Sequence, residues 1–118
     1  KALTDLIHPD KAIDLVKRTG LRGAEIVSLL GSGSAYYAPS AAIAGLVEAI
    51  ASGKTVVRGV SAYLNGEYGI KDVCIGTLCG IGKNGIEKIL EVKLNSEEKA
   101  AFLKSAESLK TQNKNNPL

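Results

Sequence analysis

Apolar and polar residues follow two different periods along this chain. Up to about residue 53 the apolar positions recur at helical spacing, and from about residue 55 the period shortens to two. In the first part, His8-Pro9-Asp10 predicts a helix start. Pro fits the first turn, where its missing N–H is no loss, and Asp10 suits the positive end of the helix dipole. Ile13 and Val16 follow, with Lys17-Arg18 near the end of the run. Thr19-Gly20 and Gly23 interrupt the pattern, so a second helix is expected over Ala24 to Leu30, stopping at Gly31-Ser32-Gly33-Ser34. A third helix is predicted from about Ala35 to Ile50, with Ser34 as its N-cap, Pro39 in or just past the first turn, and Ser52-Gly53 as its stop. Between Ala41 and Ala51 its only charge is Glu48, and a helix apolar on nearly every side is expected to be buried on nearly every side.

In the second part, Thr55 to Val57 and Val60 to Leu64 read as strand, with Asn65-Gly66 as a turn. Val73 to Leu78 and Ile86 to Leu94 read as two more strands. Asn95-Ser96-Glu97-Glu98 then opens a last helix, with Asn95 and Glu98 at capping-box spacing. That helix is expected to reach about Gln112 with Phe102, Ala106 and Leu109 on one stripe, and the polar stretch from Asn113 through Pro117 to Leu118 is expected to fray. Helices followed by a three-strand antiparallel meander and a helix make an α+β fold, because the elements are segregated rather than alternating.

Composition narrows the function classes. The chain has 118 residues, 45% of them hydrophobic and 23% charged, as a folded domain does and a disordered chain does not. No apolar run is long enough to span a bilayer, and the start lacks the charged-then-apolar pattern of a signal peptide. The chain contains no Met, which suggests a fragment or a processed product. A net charge of +3 with interleaved acids and only 4% aromatics is a poor basis for nucleic-acid binding. Neither nucleic acid nor membrane is expected as a partner. Cys74 and Cys79 fall on opposite faces of a strand and match no zinc or redox spacing. They read as two small buried side chains in a reducing compartment, the cytoplasm or an organelle matrix.

Candidate chemistry is sparse. Gly80-Ile81-Gly82-Lys83-Asn84-Gly85 matches the dinucleotide fingerprint letter for letter, but a strand follows it where a helix is required, and Asn84-Gly85 is a hairpin signal. Gly31-Ser32-Gly33-Ser34 before a helix can hold an anion on free amides, although a plain turn is the favoured reading. It has no Lys, so it is not a P-loop. His8, the single histidine, belongs in a solvent-exposed turn, and without it no Ser-His-Asp or Cys-His set exists. Glu67 and Asp72 are expected to be solvated, and no metal cluster can be assembled. From the residues alone, the informative place is the loop–helix junction from Gly33 to Pro39.

Gly33-Ser34-Ala35-Tyr36-Tyr37-Ala38-Pro39, followed by Ala41-Ala42-Ile43, resembles a segment of the malate and lactate dehydrogenase family. So do Thr19-Gly20 to Val27, Gly66 to Asp72, Gly82 to Glu87, and the helix start from Asn95 to Lys99, all in the family's order. Within the family the chain looks most like the lactate-dehydrogenase-like bacterial malate dehydrogenases. The resemblance covers the C-terminal part alone and implies that residues 1–118 are one segment of the substrate and oligomerisation domain. A full member, roughly 300 residues long, would place a Rossmann half upstream. The catalytic His, its orienting Asp and the substrate arginines also lie upstream in the family. No catalytic residue is therefore expected in this segment, and alone it should be inactive. The resemblance puts Gly33, Ser34 and Ala35 at the substrate pocket and Pro39 against a nicotinamide ring. Ala35 stands where ordinary lactate dehydrogenases have Thr, which leaves room for a substrate larger than pyruvate. The implied whole protein is an oxidoreductase that interconverts malate and oxaloacetate with NAD, as a homodimer or homotetramer in the cytoplasm. A lactate dehydrogenase of the same architecture and a non-catalytic oligomerisation module are the alternatives.

Overall fold

The computed structural model describes residues 3–115, so the expected fraying at Pro117 lies outside the described residues. The chain divides into two compact units, the first ending at Ile43 and the second beginning at Ala44.

After a short 3-10 turn at Leu3–Asp5, the first unit is dominated by helix α1, Pro9–Leu30. His8 precedes it without a side-chain cap bond, and Pro9 takes the first helical position as expected. The predicted break at Thr19-Gly20 and Gly23 does not occur, and the two expected helices are one of 22 residues. Glycine stops a helix by adopting a left-handed conformation; inside one it costs only about 1 kcal/mol against Ala. Gly31 does turn left-handed (φ 72°), and its N–H bonds to the carbonyl of Val27. Gly20 and Gly23 show no such turn. Around them the Thr19 hydroxyl donates to the Leu15 carbonyl at 2.7 Å, and Arg22 pairs with Glu25 at 2.7 Å.

Helix α2, Tyr37–Ser52, begins two residues later than expected, which removes Ser34 from the N-cap. Gly53, left-handed at φ 66°, ends it as the sequence implied. The expectation of burial on nearly every side is corrected. Ala49 is its one fully buried residue, whereas Ile43 and Val47 remain 61% and 59% exposed and Ile50 is exposed too. These three recur at helical spacing, so α2 carries a stripe of exposed apolar side chains.

The second unit also contains the meander: β1, Val56–Asn65; β2, Lys71–Gly82; and β3, Gly85–Leu90, in the order β1-β2-β3. β1 and β2 pair antiparallel from Val56 with Ile81 to Asn65 with Lys71, with an irregularity after Leu64. Along β2 burial alternates, Val73, Ile75, Thr77 and Cys79 inward and Cys74, Gly76 and Leu78 outward, as period two dictates. Cys74 is thus an exposed thiol, correcting the expectation that both cysteines are buried; Cys79 is buried, and its burial pushes its thiol pKa up. Helix α3, Ser96–Asn115, closes the core. It extends past the expected end at Gln112. Its capping box forms as read: the Glu98 N–H donates to Asn95 Oδ1 at 2.9 Å, and the Asn95 N–H donates to Glu98 Oε2 at 2.8 Å.

Two apolar clusters hold this unit. One joins Leu64, Ile70, Val73, Ile75 and Ala106, with Tyr68, Phe102 and Leu109 against it. The other joins Ala49, Ala62, Cys79 and Ile81. β3 ends at Leu90, short of the predicted Leu94. The Tyr68 hydroxyl bonds the Leu90 carbonyl and the Val92 N–H, so the backbone there is held by a side chain rather than by β2. Between β1 and β2, Glu67 Oε2 accepts the Asn65 N–H at 2.8 Å.

Leu64→Ala should cost about 2–5 kcal/mol, the usual range for emptying a fully buried leucine site, measured by urea unfolding of the chain. Bonds from its own and the Asn65 backbone hold the Glu67 carboxyl below its ordinary pKa. A depressed pKa contributes stability above the unfolded-state value and loses it as pH falls through the folded-state value. Glu67→Gln should therefore flatten the acid limb of the stability–pH curve while leaving the helical and strand signals in circular dichroism unchanged.

Candidate functional site

The junction between α1 and α2 is built from backbone turns rather than from charged side chains. Gly31 and Gly33 are both left-handed, at φ 72° and 85°. The Tyr36 N–H donates to the Ser34 carbonyl at 2.9 Å, closing a three-residue turn with Ala35 at its centre. The Tyr36 carbonyl then accepts the Ser40 N–H at 3.0 Å and the Ser40 hydroxyl at 2.7 Å. Pro39 lies in the first turn of α2, where a residue without an N–H is tolerated. The first amides of a helix have no intrahelical acceptor, and here Tyr37 and Ala38 supply them. Ala35 is half-buried, while Gly33, Ser34 and Pro39 are exposed.

This corner brings the four predicted residues Gly33, Ser34, Ala35 and Pro39 onto one short stretch. It holds no carboxylate, imidazole or thiol; its titratable side chains are the Tyr36 and Tyr37 phenols. It offers a small methyl, an exposed apolar ring and two amide donors. That set suits the wall of a pocket against a flat apolar ring; it does not suit the phosphates of a whole dinucleotide. A cavity of about 490 Å³ touches Val60, Thr77, Val92 and Phe102, and one of about 370 Å³ touches Glu91, Lys99 and Leu103. Neither includes the four corner residues.

The remaining sequence candidates resolve into local structure. Gly80 to Gly85 is the β2–β3 hairpin, with Gly82 paired to Gly85 and Gly85 left-handed at φ 85°. The Glu87 carboxylate occupies the space that a side chain on Gly82 would need, and it accepts a hydrogen bond from the Thr55 hydroxyl at 3.3 Å. Gly82 therefore makes room for an acidic side chain, the opposite of a phosphate cradle. His8 is exposed at the start of α1, with Nδ1 3.5 Å from Asp10 Oδ2. Asp72 is exposed, as expected of a solvated residue, and its Oδ1 also accepts the Tyr63 hydroxyl at 2.8 Å. That bond, reinforced by the carboxylate charge, raises the Tyr63 pKa above its ordinary value. No group of metal-ligating side chains occurs among the described residues. The residue that sequence reasoning passed over is Tyr36, because nothing in the spacing of Tyr36-Tyr37 says which ring the fold will use.

Comparison with known proteins gives the corner its context. Residues 4–116 match the family described as lactate/malate dehydrogenase, alpha/beta C-terminal domain. The chain is 52% identical over 103 residues to the malate dehydrogenase of Halalkalibacterium halodurans, covering 86% of this chain and 33% of that protein. It is 49% identical over 108 residues to the malate dehydrogenase of a Geobacillus species, covering 92% and 35%. The solved malate dehydrogenase of Salinibacter ruber superposes with a TM-score of 0.84 at 39% identity, covering 91% of this chain and 35% of that one. The lactate dehydrogenase of Eimeria maxima, solved with NADH and oxamate, gives a TM-score of 0.80 at 34% identity, covering 92% and 35%. The chain thus spans about a third of the length of the relatives it matches. A match over nearly all its residues, with about half of them identical to named dehydrogenases, means that the chain belongs to the lactate/malate dehydrogenase family as its alpha/beta C-terminal domain.

Proposed function

We propose that this chain is the C-terminal segment of an NAD-dependent malate dehydrogenase, and that the Gly33–Pro39 corner walls its substrate pocket. The observation that carries the reading is the small, half-buried Ala35 at the centre of the turn, in a chain about half identical to proteins named malate dehydrogenase. A methyl at that point leaves space for the distal carboxylate of oxaloacetate beside the keto group. A bulkier side chain there would favour a shorter substrate. The Ser34 hydroxyl, exposed at the same turn, can hydrogen-bond that carboxylate. NAD, when bound, supplies the acceptor for the hydride leaving malate. Pro39 would lie against the nicotinamide, where an apolar ring without an N–H excludes water from the transfer path.

The proton-transferring and carboxylate-clamping residues are assigned to the N-terminal part of the relatives' length, so this segment alone is expected to be inactive. The exposed apolar stripe of α2, with Ile43, Val47 and Ile50, is assigned to contact with the rest of the enzyme or with a second subunit, consistent with a homodimer or homotetramer. No helix among the described residues is long and apolar enough to cross a membrane, and a cytoplasmic enzyme fits that.

The test is steady-state kinetics of the full-length polypeptide that carries this chain, with oxaloacetate and with pyruvate. Oxaloacetate should be preferred. Ala35→Leu should lower kcat/KM for oxaloacetate by roughly 10-fold or more, the scale of a few methyl groups pressed into a fitted pocket. A strong pyruvate preference in the unaltered enzyme would make it a lactate dehydrogenase instead.

A further inference from the structure

We infer that Tyr36 is a positioning residue for the pocket wall, with Gly33 as the seat of its ring. The inference rests on reading Ser34 and Ala35 as that wall. Three separate groups of Tyr36 each hold a different part of the corner. Its ring lies over Gly33, where an added Cβ would meet the ring Cε2 and the hydroxyl oxygen at 3.1 Å each. Its N–H closes the turn on Ser34 and so sets the direction of Ala35. Its carbonyl is fastened twice to Ser40, fixing the turn of α2 that carries Pro39.

The ring contact is what makes the arrangement a device rather than a turn. Gly33 sits at φ 85°, a conformation that glycine enters and leaves freely. A loop hinged on such a residue does not hold Ser34 in one place by itself. The Tyr36 ring fills the space beside Gly33 that its missing side chain leaves open, and so limits the hinge from one side. Gly33 must stay a glycine for two reasons at once, the left-handed backbone and the room for the ring. The ring is also 61% exposed, so it contributes little to core burial. Losing it should therefore disturb placement more than stability. Its neighbour Tyr37, at 85% exposed, makes no such contact in the structure and has no part in the inference.

A misplacement of pocket groups by about 1 Å is enough to change rates by one to two orders of magnitude. In the full-length polypeptide carrying this chain, Tyr36→Ala should raise KM for oxaloacetate roughly 10-fold and reduce the oxaloacetate-to-pyruvate ratio of kcat/KM by a similar factor. Tyr36→Phe keeps the ring and should restore both to within about 2-fold. The Tm of Tyr36→Ala should stay near the wild-type value. Should Tyr36→Ala not fold, Tyr36→Leu, which keeps the bulk but loses the flat ring, gives the same readout. A Tyr36→Ala enzyme with lowered Tm but wild-type KM and selectivity would overturn the inference. Ala35→Leu in the same assay separates the two ways of failing. If Ala35→Leu shifts selectivity and Tyr36→Ala does not, the wall stands and the positioning role falls. If neither shifts it, the wall reading falls and takes this inference with it.

Discussion

The second unit depends on one cross-strand pair. Leu64 and Val73 face each other across β1 and β2, both fully buried, under Ala106 of α3. Because strand side chains alternate, fixing that pair fixes every other position on both strands. It sends Ala62, Ile75 and Cys79 inward, and Tyr63, Cys74 and Leu78 outward. A slip of one residue would place Cys74 and Tyr63 in the core and the leucine and valine in water. The turn between the strands must deliver this register, which is why it is tied so closely: Gly66 is left-handed, its N–H bonds the Ile70 carbonyl, and Glu67 reaches back to Asn65.

Two residues without glycine's freedom adopt left-handed backbones nearby, Tyr68 (φ 55°) and Asp72 (φ 60°). Such positions cost of order 1–3 kcal/mol each and persist where surrounding bonds over-determine them. Tyr68 satisfies that condition, and Asp72 sits where the β1–β2 register shifts. The Tyr68 N–H donates to Glu91 Oε2 at 2.7 Å, its hydroxyl bridges Leu90 and Val92, and its ring packs against Phe102 with centroids 5.0 Å apart. Asp72 accepts the Tyr63 hydroxyl. The same Tyr68 bonds decide where β3 stops and how the chain approaches α3. Strain at the turn is thus exchanged for a fixed path through the following segment.

The first unit uses a different economy. Its corner has no buried seam and no charged network, and its shape comes from two left-handed glycines and the hydrogen bonds around Tyr36. Under the proposed function such a surface serves as a pocket wall, made of small groups held in place.

The sequence by itself determined the features that depend on short-range chemistry. Pro9 at the start of α1, Gly31 and Gly53 as helix ends, the Asn95–Glu98 box and the three-strand meander were all legible, because each is decided within a few residues by backbone preference or by period. The motif order likewise pointed to the family. What only the tertiary structure decided depends on partners distant in sequence or outside the chain. Gly20 and Gly23 stay helical inside one long helix; Cys74 is outside because Val73 is inside; β3 ends early because Tyr68, more than twenty residues before, holds its continuation. An apolar helix was legible, but its exposed stripe was not, since hydrophobicity says that a surface needs a cover and never which residues provide it. The role of Tyr36 was illegible for the same reason: two adjacent tyrosines are chemically equal until a backbone turn brings one ring over a glycine and leaves the other in water.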